Sequence, residues 1–336
     1  MTLLEVHDLD VRFATPGGVV RAVDGVSLSL RAGETLAIVG ESGCGKSTLA
    51  RTIVGIERAH AGQLHYAGRA LPTAGPERRA LARELQLIFQ DPDASLNPRM
   101  TIGSAVTEPL IIHRPELSRG ERRQAVDVLL RRVGIDPLLF DRYPHELSGG
   151  QRQRVCIARA LSLEPRLLIL DEAVSALDVS IRAQILNLLV ELQRSLGLTY
   201  LFITHDLGVV RHIAHRVAVM YLGQIVEEAD TDALFERPEH PYTRALLGAV
   251  LRVDADAQRP TPGVSGDVPS PLRPPSGCRF HTRCPLVFER CRNEAPAHYV
   301  LDEGAVGASA GERRVRCFLV DPSRPAPRGE ALRSAD

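Results

Sequence analysis

The stretch GESGCGKS, residues 40–47, fits the phosphate-loop pattern G-x-x-x-x-G-K-S at every fixed position. The apolar run TLAIV precedes it and STLARTIVGI follows it, which predicts a strand, the loop and a helix rather than a chance glycine-rich turn. Glycines allow a tight turn, and N–H groups at the start of a helix bind anions. The stretch therefore predicts a nucleotide site, in which Lys46 contacts the β- and γ-phosphates and Ser47 offers its hydroxyl to Mg²⁺. The predicted nucleotide contacts of the loop are Gly40, Glu41, Ser42, Gly43, Cys44, Gly45, Lys46, Ser47 and Thr48.

A second apolar run, RLLILDE at residues 166–172, ends in two carboxylates. Ligands of open parallel sheets bind beyond the carboxyl ends of the strands. We therefore expect Asp171 to hold Mg²⁺ through a water molecule, and Glu172 to polarise the attacking water as a general base. The alternative is that the Asp–Glu pair only caps the turn that follows the strand.

Four single residues are further candidates. Gln90 ends the run LQLIFQ, where its amide could contact Mg²⁺ or the attacking water, and His205 ends LFITH, where its imidazole could contact the γ-phosphate. Asp178, in SALD, follows the carboxylate strand closely. Taken alone, each of these is also a common strand cap or turn residue. Phe13, in the first strand, could stack on adenine or belong to the core or its rim.

The composition bounds the class of protein. The chain has 336 residues, a hydrophobic fraction of 44%, and 41 basic residues (Lys and Arg) balanced by 41 acidic ones. Zero net charge argues against a protein that coats nucleic acid. No run of 18 apolar residues occurs, and MTLLEVHDLDVRF at the start alternates like a strand rather than a signal peptide. We therefore expect a cytosolic protein whose cysteines stay reduced.

The chain divides unevenly. In residues 1–253, strand-like runs alternate with helical ones such as VSIRAQILNLLVELQRSLG, which predicts an α/β fold with a parallel sheet wrapped by helices. Residues from about 91 to 150 have mostly helical patterns. Residues 254–320 read as a Pro-rich linker followed by a small Cys-containing module. Residues 321–336 are predicted to be disordered.

Four of the six cysteines lie in the C-terminal module, with spacing C-x5-C-x6-C-x25-C. Thiols in a short, Pro-rich module suggest a metal that holds it together. Zinc is one reading, with His281 or His298 in place of a cysteine, although no C-x2-C pair occurs. A module that binds no metal is another reading, and Cys44 and Cys156 are expected to be unliganded. The four candidate ligands are Cys278, Cys284, Cys291 and Cys317.

A second glycine turn lies in LSGGQ, residues 147–151, where a helix is predicted to start. Such a turn suits an anion, although the first phosphate loop already provides one anion site. The alternative is a purely structural role, in which Ser148 is a helix N-cap. Both interpretations can hold, because a capped helix end also binds anions. Together with the motifs above, and in the same order, LSGGQ makes about the first 250 residues resemble the ABC-type ATPases.

This resemblance implies a P-loop ATPase with a RecA-like core sheet, an antiparallel β part and a helical subdomain. It implies ATP and Mg²⁺ as ligands, Glu172, His205 and Gln90 as catalytic residues, and Ser47, Gln90 and Asp171 around the magnesium. In this family the LSGGQ signature meets the γ-phosphate held by a partner chain, so that two domains close head-to-tail over two nucleotides. The residues that would serve the nucleotide held across the dimer are Ser148, Gly149, Gly150 and Gln151.

A finer resemblance is to the ATPase subunits of dipeptide, oligopeptide and nickel importers. It rests on FQDPDASLNPRM, SALDVSIRAQILNLL, HRVAVMYLGQIVE, HPYTRALL and the tail GDVPSPLRPPSGCRFHTRCP. Within that subfamily these stretches favour the second of two paralogous ATPases. Some members carry a [4Fe–4S] cluster on this tail, which places a cluster ahead of zinc at the four cysteines. One departure is Ala173, where the family usually has proline after the Asp–Glu pair.

The same resemblance implies the partners and the location. We expect a heterodimer with a related ATPase, two membrane-spanning permease subunits that the helical subdomain contacts, and, indirectly, an extracytoplasmic solute-binding protein. The expected location is peripheral, on the cytoplasmic face of the cell membrane, with no nucleic-acid partner. The rival classes are a soluble ABC ATPase of DNA repair or translation and the ATPase of an exporter. The single ATPase half, the short helical insertion and the importer-type tail argue against both.

Overall fold

The computed structural model describes residues 1–72, 75–251, 266–302 and 312–323. Its strands are β1 (Thr2–Thr15), β2 (Gly18–Arg31), β3 (Thr35–Val39), β4 (Ala61–Tyr66), β5 (Arg69–Ala70), β6 (Leu85–Ile88), β7 (Leu167–Asp171), β8 (Thr199–Thr204), β9 (Arg216–Tyr221), β10 (Gln224–Asp230), β11 (Tyr299–Asp302) and β12 (Glu312–Val315). Its helices are α1 (Lys46–Val54), α2 (Pro76–Glu84), α3 (Pro92–Ser95), α4 (Ile102–His113), α5 (Arg119–Arg132), α6 (Gly149–Leu161), α7 (Val179–Leu196), α8 (Leu207–Ile213), α9 (Thr231–Glu236), α10 (Pro241–Leu251) and α11 (Glu289–Asn293). Short 3₁₀ helices cover Pro137–Leu139, Pro144–Glu146 and Phe318–Val320.

The larger sheet carries the candidate site. Its strand order is β11-β12-β10-β9-β3-β8-β7-β6, and the strands from β9 to β6 run parallel. All five residues of the central strand β3 are buried, as expected for a parallel strand covered on both faces. The predicted apolar runs correspond to β3, β6, β7, β8 and β9, and the long helical pattern corresponds to α7. The α/β prediction is therefore confirmed.

The smaller sheet is antiparallel, with the order β2-β1-β4-β5. Its β1 strand is the one that the alternating N-terminal sequence predicts. The inward residues Leu4, Val6 and Leu9 belong to the same buried cluster as Leu36 and Ile38 of β3. Burial of this shared apolar surface holds the two sheets together beside the phosphate loop.

The region predicted to be helical contains α3, α4 and α5. Thr101 caps α4, and Ser118 caps α5 in a reciprocal capping box with Glu121, so local sequence fixes where both helices begin. Val106 of α4 and Val126 of α5 are fully buried in the cluster that includes Val155 of α6. Because α6 follows the signature turn, this shared core fixes the turn relative to the helical region.

The C-terminal module joins the main sheet. Strand β12 pairs with β10, and β11 pairs with β12, so the module adds two strands to the sheet edge. Phe280 is 1% exposed and packs against Tyr221 and Tyr242, with ring centroids 5.4 Å from each. The sequence had suggested a small Cys-containing module after a Pro-rich linker and had not identified these strands. The two strands are four residues each, too short to give a clear alternation.

Two earlier predictions cannot be placed. Most of the predicted linker, residues 254–265, and most of the predicted disordered tail, residues 324–336, lie outside the described residues. Among the helices that the structure describes, none is both long enough and apolar enough to cross a bilayer.

Candidate nucleotide site

The phosphate loop connects β3 to α1 and approaches neighbouring backbone closely. Gly40 has φ +153° and Gly45 has φ +111°, which side chains rarely tolerate. A Cβ at Gly40 would lie 2.1 Å from the carbonyl oxygen of Met220, and a Cβ at Gly45 would lie 2.0 Å from that of Ala22. Helix α1 begins directly after Gly45, so its first N–H groups are available at the loop.

Lys46 lies beneath the loop and is only 4% exposed. Its Nζ donates to the carbonyl oxygens of Gly40, at 2.8 Å, and Glu41, at 3.0 Å. Burial raises the pKa of the neighbouring Cys44 thiol, which keeps that side chain neutral. The Lys46 amine therefore lies beside a neutral thiol at this end of the cavity.

A cavity of about 260 Å³ opens over the loop. Strand β2 and the turn after β9 form its other walls, and Pro271 of the C-terminal module also lines it. The lining residues include Val20, Arg21, Ala22, Ser42, Gly43, Cys44, Gly45, Lys46, Ser47, Thr48, Gln90, Glu172, Leu222, Gly223 and Pro271. Most of the predicted loop contacts are therefore gathered around one space.

Two oxygen groups meet at the edge of this cavity. Ser47 Oγ donates to Asp171 Oδ1 at 2.8 Å, and Asp171, at the end of β7, is 4% exposed. Burial raises the pKa of the Asp171 carboxyl, and the bond from Ser47 opposes that shift. A serine hydroxyl beside a buried carboxylate is a donor set that suits Mg²⁺. The structure thus brings together two of the three residues predicted around magnesium.

The three predicted catalytic side chains converge on one oxygen. Glu172 Oε2 accepts a hydrogen bond from Gln90 Nε2 at 3.0 Å and lies 3.4 Å from His205 Nδ1. These residues follow the ends of three adjacent parallel strands, β6, β7 and β8. Gln90 also lines the phosphate cavity together with Ser47, so its amide joins Glu172 to the nucleotide space.

Glu172 has an unusual backbone conformation, with φ +51°, in the left-handed region. Its N–H donates to Ile203 O at 2.9 Å, and its carbonyl accepts from Ser175 Oγ at 2.8 Å. The turn is therefore fixed by hydrogen bonds on both sides even though Ala173, 2% exposed, replaces the usual proline. Strain of this kind is typical of functional sites, where surrounding structure holds it.

The LSGGQ signature turn, residues 147–151, does not belong to the phosphate cavity. Ser148 caps α6, accepting from the Gln151 N–H at 3.3 Å, and its own N–H donates to Gln151 Oε1 at 2.9 Å. A Cβ at Gly150 would lie 2.5 Å from Ile181 Cγ2, so glycine is needed where α6 meets α7. Within the described residues, no part of 148–151 lines the phosphate cavity.

Besides Gly40 and Glu41 of the loop, two predicted contacts, Phe13 and Asp178, are not among the described residues that line the cavity. Phe13 is half-buried on β1, opposite Val20, and packs against the core between the two sheets. Asp178 is exposed at the N-cap of α7, and its side chain makes no capping bond. Both therefore remain predictions.

Sequence reasoning missed the groups that hold Glu41. Arg283, in the C-terminal module, donates to both carboxylate oxygens of Glu41, at 2.7 and 3.0 Å. The N–H of Glu41 donates to the hydroxyl oxygen of Tyr242 at 3.0 Å. The available signal was the two arginines inside CRFHTRC, residues 278–284, but their partners are far away in the chain.

A phosphate loop at the end of β3, a carboxylate pair at the end of β7 and a capped LSGGQ turn beside a helical insertion are found together here. This combination of fold and site defines an ABC-type ATPase. Residues 23–175 match the model of the ABC transporter family, and residues 226–291 match that of the oligopeptide/dipeptide transporter C-terminal region. The second match begins within β10, upstream of the boundary that composition suggested.

Curated relatives and solved structures agree with this family match. The chain is 49% identical, over 93% of its length and 98% of the relative, to the di/tripeptide transport ATP-binding protein DppF of Pseudomonas aeruginosa. It is 50% identical, over 95% of its length and 97% of the relative, to the oligopeptide transport ATP-binding protein OppF of Escherichia coli. A dimeric post-hydrolysis structure of the ATP-binding cassette MJ0796 with ADP and Pi has a TM-score of 0.63 and 28% identity, covering 68% of this chain and 99% of that one. The chain therefore belongs to the ABC transporter family, in the branch of oligopeptide and dipeptide transport ATP-binding proteins.

Proposed function

We propose that this chain is the ATP-hydrolysing subunit that powers uptake of peptides, or of a related solute, by closing with a second ATPase over ATP. The observation that carries the proposal is the position of the signature turn. Its N-terminal donors at Gly149 and Gly150 lie outside the lining of the chain's own phosphate cavity, so they are available to a nucleotide on a second chain. The dimeric state of MJ0796 with ADP and Pi supports this arrangement, and the names of the relatives support peptides.

The geometry supports a distinct role for each group. Lys46 and the loop N–H groups bind the phosphates, and Ser47 with Asp171 holds Mg²⁺. Glu172 takes a proton from the attacking water, while Gln90 and His205 orient its carboxylate. Loss of phosphate removes the charge that joins the two chains, so hydrolysis separates them.

A groove beside the helical region supports contact with permease subunits. It has a volume of about 290 Å³ and is lined by residues of β6, α4 and α6, including Phe89, Pro109 and Ile112. Phe89, Ile111 and Ile112 are 37%, 54% and 66% exposed, an apolar patch typical of an interaction site. Phe89 is followed directly by Gln90, so a segment docked in this groove lies one residue from the hydrolytic site.

The proposed partners, location and cargo selection follow from membership of the oligopeptide and dipeptide transport branch. The second ATPase is a related paralogue rather than an identical copy, because the motifs resemble those of the second of two importer ATPases. The chain acts on the cytoplasmic face of the membrane, where ATP is available. The cargo is selected by the permease subunits and an extracytoplasmic solute-binding protein.

Affinity purification of the tagged chain in mild detergent tests the transport proposal. We expect two polytopic membrane subunits and a second ATPase to co-purify. Ile112→Glu should remove the membrane subunits from the preparation, because a charge in the groove opposes apolar docking. Val128→Glu is the matched control, since Val128 is 54% exposed on α5 and does not line the groove. Recovery of only soluble proteins or nucleic acid would contradict the transport proposal.

We propose that the four cysteines of the module hold a metal cluster rather than a single zinc ion. Cys291 and Cys317 are each 8% exposed, and Cys278 N–H donates to Cys291 O at 2.9 Å. Burial raises the pKa of Cys284 to about 11 and that of Cys317 to about 12. Within the described part of the chain, no three of these sulfurs lie within 4.8 Å of one another. We place a [4Fe–4S] cluster ahead of zinc because four cysteine ligands suit such a cluster and the tail resembles that of the peptide-importer ATPases.

Protein purified without oxygen is expected to be brown and to contain about four iron atoms per chain, as a four-cysteine cluster requires. Cys284→Ser should remove the colour and the iron. Cys156→Ser should keep both, because Cys156 lines the groove beside the helical region. A colourless protein with one zinc ion per chain would reverse the assignment.

A further inference from the structure

Glu41 is held at three points, although it occupies a variable position of the phosphate-loop pattern. Its carboxylate receives two hydrogen bonds from Arg283, its N–H donates to Tyr242, and its carbonyl accepts from Lys46 Nζ. A continuous chain of bonds therefore runs from Arg283 through Glu41 to the amine that binds phosphate. The phosphate-loop motif does not require a carboxylate at this position, and a carboxylate near the phosphates would repel them. The contacts of Glu41 therefore indicate another role for it.

The Arg283–Glu41 contact is built into the protein interior. Arg283 is 8% exposed, and its guanidinium lies 5.9 Å from the ring centroid of Tyr221. The paired, two-pronged geometry is the strongest that a carboxylate and an arginine form. The bonds to Glu41 also raise the pKa of Arg283 above its ordinary value, so its guanidinium stays charged.

A second arginine of the same segment reaches the opposite wall of the cavity. Arg279 contacts the carboxylate of Asp24 and the carbonyl of Leu222. Leu222 and Gly223 line the cavity, and Gly223 N–H donates to the carbonyl of Cys44 in the loop at 2.8 Å. Arg279 and Arg283 lie between Cys278 and Cys284, so one short segment contacts both the loop, at Glu41, and the turn after β9 that lines the cavity.

We propose that Arg283 is a positioning residue for the phosphate loop, acting through Glu41 to hold the loop and Lys46 in the conformation that accepts ATP. Without Arg283, the Glu41 carboxylate is released close to the phosphates and the loop gains alternative conformations that binding must suppress. ATP affinity falls for both reasons. The chemical step is affected less, because Glu172, Gln90 and His205 lie on other strands.

Equilibrium titration of the purified full chain with MgATP tests the proposal. Arg283→Gln should weaken binding about tenfold, the usual scale for loss of one charge-assisted contact. In the ATPase assay the KM should rise by a similar factor, while kcat changes less than about twofold. Glu41→Gln should also weaken binding, and adding Glu41→Gln to Arg283→Gln should cost far less than the product of the two single effects, since both remove one interaction.

Arg290→Gln is the matched control. Arg290 lies in the same module and contacts two carboxylates, Glu294 and Asp321, each at 2.8 Å, but no residue of the loop among its described contacts. It should lower the midpoint of thermal unfolding without changing MgATP affinity. Unchanged MgATP affinity in Arg283→Gln, or multiplicative effects in the double variant, would overturn the proposal. Because the test uses nucleotide binding by the isolated chain, its outcome is independent of whether the transport proposal holds.

Discussion

Glu172→Gln is expected to lower ATP hydrolysis roughly 10²–10⁴-fold, the usual scale for a positioned general base, while MgATP binding is retained. The substitution keeps the shape of a side chain that accepts from Gln90 at 3.0 Å but removes its basicity. It leaves the separate groups that bind phosphate and magnesium, Lys46, Ser47 and Asp171, in place. Hydrolysis and nucleotide titration should be measured on the same preparation.

Glu164→Gln is the control for this variant. Glu164 is an exposed acid shortly before β7, and its φ of +54° nearly equals the +51° of Glu172. A loss of stability caused by placing glutamine at a left-handed residue would therefore appear in both variants, whereas loss of a base would lower hydrolysis only in Glu172→Gln. Near-normal turnover in Glu172→Gln would remove Glu172 from the role of general base.

Lys46→Ala is expected to weaken ATP binding at least about 100-fold, because it removes two charge-assisted contacts to phosphate oxygens. The side chain is 4% exposed, so its contacts act in a site with little screening by water. The carbonyl oxygens of Gly40 and Glu41 lose a donor, but Lys46 itself lines the cavity, so water can enter the vacated space and replace the ammonium.

Isothermal titration with MgATP and a thermal unfolding scan should be run together on Lys46→Ala. A small change in the unfolding midpoint with lost binding would assign Lys46 to ligand recognition. A retained affinity would contradict the phosphate role. A lost affinity accompanied by a large fall in the midpoint would instead indicate that the amine mainly holds the loop together.

The sequence predicted the parts of the fold and site that are determined locally. Strands β6, β7 and β8 are short apolar runs, and the ends of such strands in a parallel sheet meet at one edge, so the meeting of Gln90, Glu172 and His205 was expected. The predicted cap at Ser148 likewise placed the start of α6.

Contacts between distant residues could not be predicted in this way. Arg283 and Glu41 are 242 positions apart, and nothing in the local pattern of either one identifies the other. Strands β11 and β12 are short and become strands through pairing with β10. Phe13 has the residue type for adenine stacking, but the packing between the sheets decides where its ring lies.

The buried amine beneath the phosphate loop has a practical consequence. Lys46 is the only lysine in the sequence, and every other permanently cationic side chain is an arginine. Amine-directed isotope labelling therefore marks this site and, besides it, the exposed N-terminus at Met1. One methyl resonance would then report whether the ammonium rests on its two backbone carbonyls or has moved to phosphate, in the intact chain and without any substitution.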